Sequence, residues 1–184
     1  MASKLRVDSI LPVDGAPTSG GGGIVQVIFA ADSTAAALAT FTNSGPDTPI
    51  TIMSASITPK FSSSKILVMC KGTVGVDANS TGYEFSLFLS RTVGGTTTRL
   101  GGNTQSSHFK GTHVQASGSH SAEAATSLFF QFLDSPATTS AVTYNLGAIG
   151  GEGAVYYKNR GESDSSYHFP NAADSTITLM EVSA

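Results

Sequence analysis

The chain has 184 residues, a formal net charge of -3 and only 12% charged residues. That length suits one domain with or without a tail, able to bury roughly 70% of its unfolded surface and to hold together without disulfides. A faintly acidic balance with no Lys/Arg run excludes nucleic acid as a partner, and no stretch approaches the roughly 20 apolar residues needed for membrane insertion.

Residues 1–23 differ from the rest of the chain. From Lys4 to Val13, Leu5 and Val7 fall on one side and Arg6 and Asp8 on the other, until Pro12 stops the run. This is the alternation of a short strand, whose backbone groups need pairing from another sheet or subunit. Gly20 to Gly23 read as a swivel and not as a phosphate loop, because no Gly-Lys-Ser/Thr and no helix start come after them. The expected organisation is an extended arm with a Gly-rich joint over 1–23 and a β domain over 24–184. Lys4 and Arg6 lead into no apolar segment, so synthesis in the cytoplasm without a secretion signal is expected.

Past the glycines, strand signals recur. In Ile24 to Ala30, Val25, Val27 and Phe29 share one face. Ser33 to Ala39 is the one stretch of helical composition, and it is short. Ile50 to Thr58 is β-branched and ends at Pro59. Lys65 to Val76 is the most apolar segment and the expected central strand. It holds Cys70, the single cysteine, expected to be a buried structural thiol. In Tyr83 to Arg91, Phe85, Leu87 and Leu89 face one way and Glu84, Ser86 and Ser90 the other; Gly94-Gly95 then predicts a hairpin turn into Thr96 to Leu100. Gly101 to Ala125 is long and polar. Ser127 to Leu133 predicts another buried strand, closed by Asp134-Ser135-Pro136. Val142, Tyr144, Leu146 and Ala148 alternate with Thr143, Asn145 and Gly147, and Gly150-Gly151 predicts a turn into Ala154 to Lys158. Asn159 to Asp174 is polar again, and Ser175 to Val182 predicts the last strand. Roughly eight strands without helical crossovers predict an all-β, antiparallel, jelly-roll-like sandwich behind the N-terminal arm. Such a sandwich must cover its strand edges, and a homotrimer is expected to do so.

Little in the chain points to catalysis. His108, His113 and His120, with His168 further on, match no zinc spacing, so loop histidines and no metal are expected. No Gly-x-Ser-x-Gly elbow is present. Glu84, Glu123, Glu152 and Glu162 do not single out a facing pair of the kind a glycosidase needs. No catalytic residue, no cofactor and no enzyme activity are expected. The candidate recognition surface is Tyr156, Tyr157, Asn159 and Arg160, continued by Tyr167 and His168. Aromatic rings stack on the apolar faces of sugars, and Asn and Arg donate hydrogen bonds to hydroxyls. The competing reading places alternate tyrosines in the core or against another subunit.

Leu5-Arg6-Val7-Asp8-Ser9-Ile10, Pro12-Val13-Asp14-Gly15, Gly20 to Gly23 and Ile24-Val25-Gln26-Val27 resemble the start of a family of fibre-like virion proteins of marine and cyanobacterial tailed phages. Ser56-Ile57-Thr58-Pro59, Ser63-Ser64-Lys65-Ile66-Leu67-Val68, Phe132-Leu133-Asp134-Ser135-Pro136 and Thr176-Ile177-Thr178-Leu179-Met180-Glu181-Val182 match the same pattern in order, so the resemblance spans nearly the whole chain. It implies a virion-attached fibre or decoration domain, usually trimeric. On that reading Leu5, Arg6, Val7, Asp8 and Ile10 anchor the arm to other virion proteins. The expected function is a short trimeric tail fibre or tail-tip adhesin that contacts a host cell-surface glycan. The alternative is a capsid decoration protein or head fibre with a structural, stabilising role.

Overall fold

The structure, a computed structural model, describes residues 23–40, 49–76, 85–101, 113–115, 125–150, 155–161 and 173–183. Through them run β1 (Ile24–Asp32), β2 (Ala36–Thr40), β3 (Ile50–Ile57), β4 (Lys65–Val76), β5 (Phe85–Val93), β6 (Thr96–Leu100), β7 (His113–Gln115), β8 (Ala125–Asp134), β9 (Val142–Gly150), β10 (Val155–Lys158) and β11 (Ser175–Val182). One sheet has the order β1-β11-β4-β10-β2, with β8 along the other side of β4; the second has the order β3-β9-β5-β6, with β7 also on β5. Every pairing is antiparallel. The all-β, jelly-roll-like architecture expected from strand spacing is the one formed.

Period-two alternation builds the core. Ser175, Ile177, Leu179 and Glu181 of β11 point inward, between Thr176, Thr178, Met180 and Val182. Ile66, Val68 and Cys70 of the central β4 join them, facing Leu87, Leu89, Val142, Tyr144 and Leu146 of the second sheet. Each such side chain contributes roughly 1.5–3 kcal/mol by leaving water. Gly94 and Gly95, with φ of 55° and 81°, make the expected two-residue hairpin between Val93 and Thr96. Positive φ at both positions is the geometry that such a turn demands.

Several expectations are corrected. Ser33 to Ala39 has helical composition, yet its second half forms β2 on the edge of β10. A segment this short cannot nucleate a helix alone, and ladder bonds to a neighbour decide its conformation. β8 is not buried on both faces, since Phe129 and Leu133 are exposed. β5, by contrast, buries Ser86 and Phe88 as well as Phe85, Leu87 and Leu89, and the Arg99 guanidinium lies 4.0 Å from the Phe88 ring centroid. Gly150, read as the start of a turn, is the last residue of β9, and β10 beyond it belongs to the other sheet.

The two ends of the sandwich differ. At one end Ser183 N donates to Gly23 O at 3.1 Å. There the connection between β3 and β4 is tied to the buried Glu181 carboxylate. That carboxylate accepts from Gln26 Nε2 at 2.6 Å, Lys60 N at 2.8 Å and Phe61 N at 3.3 Å. At the same end Asp134 of β8 bridges to the second sheet, accepting from Arg91 Nη1 at 2.8 Å and from the Tyr144 hydroxyl at 2.7 Å. Burial first, then the bond to Asp134, pushes the Tyr144 hydroxyl up, so it remains protonated as the donor. The opposite end holds Asp32, Val76, Phe85, Gly150 and all of β10.

Candidate functional site

β4 is long enough to carry two partners in succession on one side. β11 pairs with it over Lys65–Lys71, and β10 over Val74–Val76. Gly72 and Thr73 fall in the gap between these partners, and Asn159, just after β10, closes it. Asn159 N donates to Thr73 O at 3.0 Å. Thr73 N donates to Ser175 Oγ at 3.1 Å, and the Ser175 hydroxyl donates to Asn159 Oδ1 at 2.6 Å. Asn159 Nδ2 reaches further, to the carbonyls of Asp32 at 2.7 Å and Thr34 at 3.2 Å, fixing the bend between β1 and β2. Its φ of 60° lies in the left-handed region, which Asn tolerates better than most residues.

Around this joint the remaining side chains sort by strand parity. The Lys158 ammonium bonds Asp32 Oδ2 at 2.5 Å. That bond first, and the Thr34 amide second, hold the Asp32 carboxyl below its ordinary value. Tyr156 points into the core and is 0% exposed. Its ring sits on Gly150, where any Cβ would overlap it. Tyr157 points the other way, and the Arg160 guanidinium stacks 4.7 Å from its ring centroid. The backbone of Arg160 and Gly161 runs so close over Gly75 that a Cβ there would overlap it.

The recognition surface read from the sequence therefore splits. Tyr156 and Asn159 do not belong to it: one is a core aromatic, and the other, 1% exposed, directs its polar atoms to its own chain. Tyr157 and Arg160 form the outward part, both half-buried. Tyr167 and His168 lie outside the described residues, as do Leu5, Arg6, Val7, Asp8 and Ile10, His108 and His120, and Glu84, Glu123, Glu152 and Glu162. His113 opens β7, opposite Leu87. Cys70 is buried in the core, and burial pushes its thiol up to about 12.

No family model matches the chain. No curated protein matches it. Among solved structures it is similar to a chain in the structure of the infectious bursal disease virus Gx strain, with a TM-score of 0.43 and 11% identity over all of this chain and 41% of that one. A chain in the structure of the Gt strain of the same virus gives a TM-score of 0.40 and 15% identity, again over all of this chain and 42% of that one. The chain thus spans about two fifths of the length of both.

Among the described residues no group of three or more His, Cys, Asp and Glu could hold a metal ion, and no helix is long and apolar enough to cross a membrane. What composition did not reveal are the buried polar ties at Glu181, Asp134 and Asn159. Parity offers a signal for the first. Glu181 stands at the position where Ser175, Ile177 and Leu179 set an inward phase, so a charged residue there must find internal partners.

Proposed function

We propose that the chain is a structural protein of a phage virion: a short trimeric tail fibre or tail-tip adhesin, held by residues 1–23 and touching a host-surface glycan through Tyr157 and Arg160. The observation that carries this reading is the separation of two ends. The arm joins the sandwich at Gly23, beside Ser183. The stacked Tyr157–Arg160 pair lies past the other end of β1, whose last residue Asp32 is tied to Lys158. Eight residue steps of β1 at about 3.3 Å put roughly 26 Å between the two. A part anchored at one end and carrying a half-buried, stacked ring and cation at the other has the layout of a tip. The ordered resemblance to phage fibre-like proteins supports the same reading.

The stacking of Tyr157 against Arg160, both half-buried, favours a second reading, in which this pair packs against another virion protein and the chain decorates a capsid. The variant Tyr157→Ala/Arg160→Ala separates the two. Under the adhesin reading adsorption to host cells falls at least tenfold, about 1.4 kcal/mol, more if three sites act together, while the melting temperature stays within a few degrees. Under the decoration reading adsorption per intact particle is unchanged and occupancy on the particle falls. Unchanged adsorption and unchanged occupancy reject both.

A further inference from the structure

Of the large hydrophobic side chains exposed among the described residues, Phe61, at 54%, is the one that no strand carries. It stands in the connection over 58–64, which leaves β3 in one sheet and enters β4 in the other, crossing the Gly23 end of the sandwich. That connection is pinned along its length. Thr58 O accepts from Gln26 Nε2 at 2.8 Å, and the amides of Lys60 and Phe61 donate to Glu181 Oε1 at 2.8 and 3.3 Å. Ser64 N donates to Phe61 O at 3.1 Å. Pro59 and Ser64 are buried, while Lys60, Phe61, Ser62, Ser63 and Lys65 are exposed. A buried carboxylate, costly to desolvate, thus fixes the backbone beneath a phenyl ring left largely in water. Ile24, also exposed, belongs to the same end. It pairs with Val182, which pairs with Lys65, so Ile24 and Lys65 stand two strand spacings of about 4.8 Å apart.

We propose that this loop is a second contact with the virion protein that holds residues 1–23, and that this partner offers an apolar socket for Phe61, rimmed by carboxylates for Lys60 and Lys65. The inference rests on the anchor reading above and adds the chemistry of the partner. Charge supplies the sign. The chain as a whole carries -3, yet Lys60 and Lys65 are the exposed charges at this end among the described residues. Its two carboxylates, Glu181 and Asp134, are buried and bound internally. A cationic rim on a chain of the opposite overall sign suits an acidic partner surface. The ring supplies the centre. Aromatic side chains are enriched at the cores of interfaces, and one held on a fixed backbone docks with little loss of conformational freedom. The arm supplies the place. It enters the sandwich at Gly23, whose carbonyl is bonded to Ser183 N, so whatever holds residues 1–23 meets this end first. A patch this small does not hold a partner alone. Tethered by the arm, it acts at high effective concentration, and even a weak contact multiplies retention.

The test measures binding of purified chain to phage particles that lack it. It compares the full parent chain, Phe61→Ser, Lys60→Glu/Lys65→Glu and a chain without residues 1–23, with folding checked by far-ultraviolet circular dichroism. Phe61→Ser is expected to raise the half-saturating concentration about tenfold or more with folding unchanged. The lysine variant should do the same at about 0.05 M salt and approach the parent at about 0.5 M, where exposed charges are screened. Binding lost without residues 1–23 but parent-like in both loop variants overturns the inference and leaves the anchor reading standing. Parent-like binding without residues 1–23, with both loop variants impaired, overturns the anchor reading and keeps the loop as the contact. A weakened Phe61→Ser beside a parent-like lysine variant overturns the carboxylate rim. If Phe61→Ser lowers the mass of the isolated chain by light scattering, another copy is the occupant and the assigned partner is overturned. Should Phe61→Ser fail to fold, Phe61→Ala gives the same reading.

Discussion

Replacing Asn159 by alanine is expected to destabilise the domain by about 4 kcal/mol. The substitution removes the two bonds from Nδ2 to the carbonyls of Asp32 and Thr34 and the bond that Oδ1 accepts from Ser175. Each such buried bond is worth about 1 kcal/mol. Alanine must also hold a φ of 60°, which costs a further 1–2 kcal/mol or so for a residue with a Cβ and no polar compensation. Against a total stability of roughly 5–15 kcal/mol this is a severe loss, about 8–16 °C in Tm at this domain size. With no tryptophan in the chain, urea unfolding is followed by circular dichroism, at fixed protein concentration because self-association raises apparent stability. Asn159→Gly, which accepts the backbone conformation, should lose about 1 kcal/mol less than alanine. A loss below 1 kcal/mol for alanine, or a glycine variant worse than alanine, would show that Asn159 is not the tie between strands.

Other consequences are equally direct. Burial by itself would raise the Glu181 carboxyl, but the nearby Ser64 hydroxyl, then Gln26 and the amides of Lys60 and Phe61, outweigh it and hold the group below its ordinary 4.5. A carboxyl lowered on folding stabilises fully above its unfolded value, and that stability is lost as pH falls through the folded one. Urea titrations from pH 7 to 3 should therefore show a shallower acid loss for Glu181→Gln than for the parent chain, and parallel curves would contradict this. Gly150→Ala forces a Cβ into the Tyr156 ring and should lower Tm by several degrees, a cost of about 1–3 kcal/mol. Gly23→Ala, with nothing within 4 Å, should leave Tm unchanged. Cys70, buried and with its thiol pushed up to about 12, should resist iodoacetamide at pH 8 in the folded chain and react in urea.

Much of the fold is legible in the sequence because alternation maps directly onto a two-sheet sandwich. Ser175 to Val182 reads with the bounds of β11 and Gly94-Gly95 with those of its turn, while Val142 to Ala148 reads as a strand that in fact runs on to Gly150 and buries Gly147 as well. The failures have physical causes. Ala36 to Thr40 lies on an edge, where pairing with β10 overrides composition. Ser127 to Leu133 reads as a buried strand, yet Phe129 and Leu133 point outward, and apolarity alone cannot distinguish a core face from an exposed one. In the candidate site, spacing cannot tell Tyr156 from Tyr157, since neighbouring residues on a strand face opposite ways and only the position of the second sheet decides which is inside. Asn159 resembles a donor for sugars because its amide looks the same whether it bonds a ligand or its own backbone.

The proposed role as a virion part anchored at the Gly23 end is tested most directly by electron microscopy of phage particles carrying a tag after Ser183, beside that end. Label is expected at the distal tail, and it should vanish when residues 1–23 are deleted from an otherwise folded chain. Particles without label, or label that persists without residues 1–23, would overturn the assignment.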